Sequence, residues 1–334
     1  MFGLLKIKQR GNYVRKLNDS GVSRLYNGLV VFRIKNEYRG VLQSLAGGKG
    51  DNTLPVSSFE GIYRIEGLEN KKIQDLYPNA CCVLMTEDSN TCSLAIYKKK
   101  DGILRYVPKP KKEHQKKGAI HPLNNEQAFY DALLRDPEVL VVGCIGDAGS
   151  GKTLLALNAG YRLLKDRDPI KWIKTFRPYV PAGPDMGFIP GDLIEKMDPY
   201  AGPIKENLFK VMLGEVGNFS EAKETMSCMF GKKMTLSIES LTHIQGRTFN
   251  NTFAFLDEAE NASPEEMKRL ISRMGSGSKV VCSGDVNQVA TRGLSSKHNG
   301  LSHLIDCLKG EEGFACIELI EVERGPIAKL AKKL

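Results

Sequence analysis

The chain has 334 residues, with 48 Lys+Arg against 39 Asp+Glu and a net charge of +9 at pH 7. Its 41% hydrophobic and 26% charged residues support a buried core and exclude wholesale disorder. It contains neither the run of about 18 apolar residues that spans a membrane nor an apolar N-terminal stretch long enough for a signal peptide. Eight irregularly spaced cysteines without a Cys-x-x-Cys pair argue against a zinc ribbon or a disulfide scaffold. We therefore expect a cytoplasmic protein with reduced thiols and no membrane partner.

The charge is unevenly distributed along the chain. Residues 1–124 carry 22 Lys+Arg against 11 Asp+Glu, a net charge of +11, whereas residues 125–334 carry 26 against 28, a net charge of −2. The densest basic segment is 98–117, and basic clusters attract phosphate backbones by releasing counterions. The plain alternative is a solvated linker. The residues that we predict to contact nucleic acid are Lys109, Lys111, Lys112, Lys116 and Lys117.

Short β-branched and aromatic runs between turn signals dominate the first third. They predict a small, basic, β-rich and barrel-like domain over residues 1–106, followed by a basic linker over 107–120. The predicted strands are Leu29–Ile34, Gly61–Ile65, Cys82–Met85 and Ser93–Tyr97.

From residue 121 to 334 strands alternate with helices, which is typical of an α/β domain with a mainly parallel sheet. A helix should begin at Pro264, with Ser263 as its N-cap and Glu266 closing a capping box. A second helix is predicted over Thr153–Gly160. Apolar runs suited to strands buried on both faces are Val139–Ile145, Thr252–Leu256 and Lys279–Cys282.

A phosphate-binding loop follows the first of these strands. Residues 146–153 fit the pattern G-x-x-x-x-G-K-[ST], between a predicted strand and a predicted helix. Glycines let the backbone N–H groups turn toward phosphate oxygens, and the helix N-terminus adds its positive dipole end. Lys152 can reach the β- and γ-phosphates, and the Thr153 hydroxyl suits Mg²⁺. The predicted ATP-binding residues of this segment are Gly146, Asp147, Ala148, Gly149, Ser150, Gly151, Lys152, Thr153 and Leu154.

An acidic pair ends the strand Thr252–Leu256. Asp257, at the tip of a strand neighbouring the P-loop strand, would hold Mg²⁺ through water, and Glu258 can polarise an attacking water. Phosphoryl transfer to a small metabolite does not need a base that activates water, so the acidic pair favours an ATP hydrolase over a kinase. After the strand Lys279–Cys282, Gln288 is expected to sense the γ-phosphate, and Asp285 to position water or link to the acidic strand. We predict Lys152, Glu258 and Gln288 as catalytic, and Thr153 and Asp257 as metal ligands.

The order P-loop, Asp-Glu-Ala-x-Asn, then Gly-Asp-x-x-Gln resembles the ATPase core of superfamily 1 helicases. It is more similar still to the PhoH-like proteins. The similarity covers about residues 120–334, which the resemblance implies to be a RecA-like P-loop NTPase domain. The further segments that carry it are Asn125-Glu126-Gln127, Arg177–Gly183, Gly187–Asp192, Gly246–Asn251 and Glu323-Arg324.

The resemblance implies roles for three further residues. Gln127 would contact adenine, Arg247 would bind ATP or organise a subunit contact, and Arg324 would be a catalytic arginine finger in cis or in trans. It also implies Mg²⁺-dependent ATP hydrolysis, RNA or another single-stranded nucleic acid as a partner, remodelling or unwinding, and a homo-oligomer such as a hexameric ring.

The first third is similar to the β region that joins nuclease and ATPase in PhoH proteins carrying a PIN nuclease. A PIN site needs several carboxylates around a metal, and residues 86–90 (Thr-Glu-Asp-Ser-Asn) match its signature only faintly. We therefore expect the PIN-less form, without RNA cleavage of its own.

One alternative stays open: a nucleotide-switched RNA-binding module in which hydrolysis is slow. A P-loop kinase is the third reading, and the acidic pair weighs against it.

Overall fold

The computed structural model describes residues 28–46, 52–59, 63–65, 72–109, 118–166, 169–178, 180, 193–231, 233–241 and 244–322. The chain divides into two compact units, residues 1–109 with 305–318, and residues 110–304 with 319–334. Within the described ranges, no helix combines the length and the apolar character needed to cross a membrane.

The N-terminal unit is built on a six-stranded mixed sheet in the order β2-β6-β5-β4-β1-β3. Strands β1 and β4 run parallel, and the other neighbours are antiparallel. Helix α1 follows β1 and packs on this sheet against β5. The elements are β1 (Leu29–Ile34), α1 (Arg39–Ala46), β2 (Thr53–Pro55), β3 (Tyr63–Ile65), β4 (Cys81–Thr86), β5 (Cys92–Lys98) and β6 (Ile103–Val107).

The expected β-rich domain is confirmed, but its barrel-like closure is wrong for the residues that the structure describes. Strands β2 and β3 occupy opposite edges of the sheet and do not pair with each other. The parallel β1–β4 pair requires a crossover connection instead of a hairpin, and that connection carries α1. One face of the sheet and α1 bury a common core, in which Phe32, Leu42 and Leu84 are fully enclosed.

The second unit contains a sheet with five strands in the order β7-β11-β10-β8-β9. All pairs from β7 to β9 are parallel, so the predicted α/β fold with a mainly parallel sheet is confirmed. From residue 110 onward, across both units, the elements are α2 (Asn125–Arg135), β7 (Val141–Gly146), α3 (Lys152–Asp166), β8 (Trp172–Arg177), α4 (Leu193–Val216), α5 (Phe219–Phe230), β9 (Leu236–Ser240), β10 (Thr252–Leu256), α6 (Pro264–Ile271), β11 (Lys279–Gly284), α7 (Gly300–Leu308) and β12 (Phe314–Leu319).

Helix α6 begins as the sequence predicts. The Ser263 hydroxyl accepts the Glu266 N–H at 3.2 Å, and the Glu266 carboxylate accepts the Ser263 N–H at 2.8 Å. Pro264 occupies the first turn, where no N–H is needed. This capping box fixes where the chain turns after the acidic end of β10.

The basic segment does not present all its lysines to solvent. Lys98 is buried, and its ammonium donates to the Asn79 Oδ1 at 2.9 Å. Lys109 is half-buried, whereas Lys111, Lys112, Lys116 and Lys117 lie outside the described residues. Lys98 is therefore a structural residue of β5.

Residues 86–90, the faint PIN signature, form the turn between β4 and β5. The Asp88 carboxylate accepts hydrogen bonds from the Thr86 hydroxyl at 2.6 Å and from the Asn90 N–H at 3.0 Å, and it pairs with Arg39. The Thr86 hydrogen bond, followed by that of the Asn90 N–H, lowers the pKa of Asp88 to about 2. Its lone pairs are thus used to close a turn, which supports reading the segment as structural.

A buried lysine closes the C-terminal end of α2. The Lys279 ammonium, on a residue only 6% exposed, donates to the carbonyls of Leu133, Asp136 and Val139 at 3.1, 2.8 and 2.5 Å. A cation at a helix C-terminus satisfies orphan carbonyls and complements the helix dipole. Lys279 thereby joins β11 to the segment between α2 and β7.

We predict that Lys279→Met destabilises this unit by about 3 kcal/mol, because buried carbonyls lose a charged donor. Denaturant unfolding followed by the fluorescence of Trp172, which lies in β8, measures this loss. The exposed Lys297→Met is the matched control and should change stability little. Equal stability of the two variants would contradict the structural role of Lys279.

A second prediction concerns acid stability. Since the folded pKa of Asp88 lies below its ordinary value of 3.8, its contribution is present above pH 4 and is lost as the pH falls toward 2. The difference in melting temperature between wild type and Asp88→Asn should therefore be smaller at pH 3 than at pH 6. Asp101→Asn, at an exposed position, should show no such change, and a constant Asp88 difference would contradict the turn's electrostatic role.

Candidate nucleotide site

The P-loop connects the end of β7 to the start of α3. Gly149 and Gly151 adopt φ values of +86° and +95°, which only glycine takes without strain. The Ser150 N–H closes the turn on the Asp147 carbonyl at 3.2 Å. Ala148 is exposed on the loop, and Leu154 is half-buried in the first turn of α3. The local backbone thus has the curled form that a phosphate cradle requires.

Two side chains of the loop offer hydrogen-bond donors to a phosphate. The Lys152 ammonium donates to the carbonyls of Gly146 at 2.5 Å and Asp147 at 3.0 Å, so it folds over the loop. The Ser150 hydroxyl is buried and has no hydrogen-bond partner within the described part of the chain. A phosphate oxygen is the kind of acceptor that this hydroxyl lacks.

Asp257 is buried where the ends of three elements meet. The Thr153 hydroxyl donates to its Oδ1 at 3.0 Å, and the Ser283 hydroxyl donates to the same atom at 3.1 Å. Asp257 is only 7% exposed, and burial raises its pKa, against the opposing effects of Arg177, the two hydroxyls and Lys152. The carboxylate is therefore pre-positioned beside the P-loop threonine.

The strand that carries Asp257 is not the direct neighbour of the P-loop strand, contrary to our expectation. Strand β11 lies between β7 and β10. Ser283, near the end of β11, bridges the gap with its hydroxyl. The sequence alone could not show this, because strand order depends on contacts between distant segments.

Thr153 and Asp257 fit a Mg²⁺ ion by their chemistry. A hydroxyl and a carboxylate that converge within 3.0 Å supply the hard oxygen ligands that Mg²⁺ prefers. No group of three or more His, Cys, Asp or Glu side chains that could hold a metal occurs among the described residues. Mg²⁺ is usually bound by one or two protein ligands together with waters and substrate phosphates, so two ligands suffice.

Glu258 stands beside this pair in an unusual backbone conformation. Its φ of 52° and ψ of 43° are left-handed, which costs a non-glycine residue about 1–3 kcal/mol. Its side chain is 39% exposed and forms an ion pair with Arg177 at the end of β8. Arg177 thus lies against the acidic pair.

The loop after β11 carries Gln288. Its Nε2 donates to the Asp285 Oδ2 at 2.8 Å, and its own N–H donates to the Asp285 carbonyl at 2.8 Å. Both Asn287 and Gln288 are exposed. Asp285 therefore positions Gln288 directly.

Glu260 and Asn261, two residues to which we assigned no role, are both buried next to this loop. Glu260 is 4% exposed, and its Oε2 accepts the Asp285 N–H at 3.1 Å. Burial raises the pKa of Glu260 to about 7. Asn261 belongs to the motif Asp-Glu-Ala-x-Asn, whereas Glu260 occupies its variable position. The hydrogen bond of Glu260 to the Gln288 loop is therefore visible only in the structure.

Gln127 contacts the P-loop from α2. Its Nε2 donates to the Ser150 carbonyl at 2.9 Å, and its Oε1 accepts the Leu123 N–H at 2.8 Å. The side chain is 3% exposed. In this arrangement Gln127 ties α2 to the P-loop, while one donor and one acceptor position of the amide remain for a ligand.

Arg247 lies at the far side of the sheet. It pairs with Glu239 of β9 at 2.6 Å, and its guanidinium stacks 4.9 Å from the ring centroid of Phe249. At the usual strand spacing, β9 is on the order of 19 Å from β7, and no contact joins Arg247 to the P-loop among the described residues. The predicted ATP contact of Arg247 thus has no support from the contacts of the described residues. Arg324 lies outside the described residues.

Comparison with known proteins agrees with this geometry. The family model described as PhoH-like protein matches residues 119–334. Protein PhoH2 of Bacillus subtilis (strain 168) is 34% identical over 278 residues, which are 83% of this chain and 61% of that protein. The PhoH-like protein of the same strain is 39% identical over 191 residues, 56% of this chain and 55% of that protein. The PhoH-like protein of Mycobacterium leprae (strain TN) is 37% identical over 199 residues, 60% of this chain and 52% of that protein.

Among solved structures, the Pif1 helicase from Candida albicans is similar with a TM-score of 0.32 and 16% identity, over 61% of this chain and 40% of that chain. This similarity is too distant to assign a function. The chain spans about half to three-fifths of the length of the curated relatives it matches. The family match covers well over half of the chain and includes the P-loop, the acidic pair and the Gln288 loop; the chain belongs to the PhoH-like protein family.

Proposed function

We propose that this protein is a Mg²⁺-dependent ATPase whose hydrolysis is coupled to RNA or another single-stranded nucleic acid. The observation that carries the proposal is the convergence of the Thr153 hydroxyl on the buried Asp257 carboxylate, with Glu258 as the next residue. A kinase would need the first two groups but has no use for a base that activates water.

In the proposed reaction, the P-loop binds the phosphates, and the acidic pair at the end of β10 binds the metal and activates water. Backbone N–H groups of the P-loop and the Lys152 ammonium bind the β- and γ-phosphates. A bound Mg²⁺, held by Thr153 and Asp257, supplies neutralising charge to the phosphate oxygens. Glu258 orients a water and accepts its proton as the water oxygen attacks the γ-phosphorus and ADP leaves. Gln288, held by Asp285, lies on the loop that follows the next strand of the sheet.

The nucleic-acid part of the proposal rests on charge. The second unit binds phosphate by local geometry, since residues 125–334 carry a net charge of −2. The surplus of +11 lies in residues 1–124, where a polyanion is the expected partner. Remodelling or unwinding is the role that we favour for such a partner.

A homo-oligomer, with a hexameric ring as the favoured form, completes the proposal. The distance of Arg247 from its own P-loop supports contact with a neighbour's nucleotide. The proposed cytoplasmic location rests on the irregular spacing of the eight cysteines, which does not suggest a disulfide scaffold.

A second candidate function is a nucleotide switch with slow hydrolysis, and one observation favours it. The Glu258 carboxylate is paired with Arg177, and a paired carboxylate is a poorer base. In this case ATP occupancy would change RNA affinity with little turnover.

We predict that Glu258→Gln lowers kcat by about 10²–10⁴-fold, the usual contribution of a general base, while nucleotide binding persists. Lys152→Ala should instead weaken nucleotide binding itself, because it removes the cation that reaches the phosphates. Phosphate release and binding of a fluorescent ATP analogue, measured with Mg²⁺, separate the two effects. Unchanged turnover in Glu258→Gln would exclude Glu258 as the base.

Arg177→Ala distinguishes the two candidate functions. If the ion pair restrains the base, this variant should hydrolyse ATP faster than wild type. If Arg177 helps to stabilise the transition state, turnover should fall. Lys171→Ala, which changes an exposed cation just before β8, is the control.

The proposed binding of nucleic acid by the basic segment gives a separate prediction. Changing Lys109, Lys111, Lys112, Lys116 and Lys117 to glutamine should weaken binding of a labelled single-stranded RNA. The slope of log K against log[salt] should flatten by up to about 3.5 if all five contact phosphates. Turnover measured without RNA should persist.

Arginine at the same five positions keeps the charge and should keep the binding. Fluorescence anisotropy over a salt series measures both variants. Unchanged affinity and slope in the glutamine variant would leave this segment as a linker only.

A further inference from the structure

The short turn after Glu258 holds the loop that carries Gln288. We propose that Glu260 and Asn261 form a clamp, which fixes the 285–291 loop relative to the acidic end of β10 and so positions Gln288 for catalysis. This inference rests on the proposed hydrolysis. The clamp consists of two buried side chains and their hydrogen bonds.

Glu260 holds the near end of the loop. Its Oε2 accepts the Asp285 N–H at 3.1 Å. It also presses against Gly284, where an added Cβ would lie 2.0 Å from that oxygen and 3.1 Å from the Glu260 Cδ. A side chain at position 284 would displace this carboxylate and would also crowd the Glu260 backbone N, 3.1 Å from the added Cβ.

Asn261 holds the far end of the loop. Its Oδ1 accepts the Ala290 N–H at 2.8 Å and the Thr291 N–H at 3.2 Å. The Thr291 hydroxyl donates a hydrogen bond to the Asn261 carbonyl at 3.0 Å. Since Asn261 is buried and Ala290 is exposed, these bonds hold a surface loop from inside the unit.

The same turn sets the backbone of the proposed base. The Asn261 N–H donates to the Glu258 carbonyl at 2.9 Å. This bond closes the turn that begins with the left-handed Glu258. One turn therefore fixes both Glu258 and the loop with Gln288, and a displacement of one must move the other.

No hydrogen bond of the described residues joins the clamp to the P-loop or to the Gln288 side chain, although the Lys152 ammonium is close enough to oppose the effect of burial on the pKa of Glu260. Loss of the clamp should therefore lower the chemical rate more than it changes nucleotide binding. A displacement of catalytic groups by about 1 Å costs on the order of 100-fold in rate. Glu260 and Asn261 are accordingly positioning residues.

The test compares Glu260→Ala, Glu260→Gln and Asn261→Ala with wild type in the full chain. For the two alanine variants we expect kcat for ATP to fall by about 10- to 100-fold, with KM within about threefold of wild type. Glu260→Gln keeps an acceptor for the Asp285 N–H and should restore most of the rate. Glu265→Ala, an exposed change on α6, should have no effect.

Gly284→Ala provides a second arm that tests the contact directly. Alone it should lower kcat, because the new methyl group displaces the Glu260 carboxylate. Combined with Glu260→Ala, it should cost less than the sum of the two single losses, since the clash with the carboxylate has gone and only the Glu260 backbone N, 3.1 Å away, remains close. Additive losses in the double variant would show that the two residues do not act through one contact.

Hydrogen exchange separates failure of the clamp from failure of the proposed hydrolysis. In Glu260→Ala and Asn261→Ala, the amides of Asp285, Ala290 and Thr291 should exchange faster, while those of α3 and β10 stay protected. If wild type shows no ATP turnover, the proposed hydrolysis is wrong. The hydrogen-exchange rates then remain as the test of whether Glu260 and Asn261 hold the loop. Unchanged exchange at these amides, or a Glu260→Gln variant as slow as Glu260→Ala, would overturn it.

Discussion

The burial of one carboxylate organises the nucleotide site. Asp257 is withdrawn from water, which would favour its neutral form. Two hydroxyl donors and nearby cationic side chains oppose that effect, so the carboxylate is held by its surroundings. Each donor comes from a different element, Thr153 from the start of α3 and Ser283 from the end of β11. The P-loop, the acidic strand and the strand between them must therefore stay in register for the site to exist.

This dependence explains which parts of the fold could be predicted from sequence. The P-loop, the capping box at Ser263 and strand β10 are encoded by contiguous residues, and each was found with nearly correct bounds. Strand β2 and helix α1 were missed, because a three-residue edge strand and a short helix leave little periodic signal. Strands β6, β8, β9 and β12 were not predicted either. Strand order was also beyond reach, since nothing in the residues of β11 says that they lie between β7 and β10.

The same distinction holds within the site. Spacing identified Lys152, Thr153 and Asp257, because the motif itself fixes their positions on a strand end and a helix start. It could not reveal the Arg177–Glu258 pair, whose members are 81 residues apart, or the use of both ends of the Gln127 amide. Glu260 was overlooked for a different reason. A carboxylate at a variable motif position looks like a surface residue until packing shows that it is buried against Gly284.

The Arg177–Glu258 pair bears on both candidate functions. The Glu258 side chain is 39% exposed and that of Arg177 is 15% exposed, so solvent screens the pair only in part. In the proposed hydrolysis, the pair would have to open to admit a water. The left-handed backbone of Glu258 limits where the released carboxylate can go, because the Asn261 N–H holds its carbonyl in place. The proposed hydrolysis therefore requires a pair that opens, whereas a nucleotide switch with slow hydrolysis is the expected outcome of a pair that stays closed.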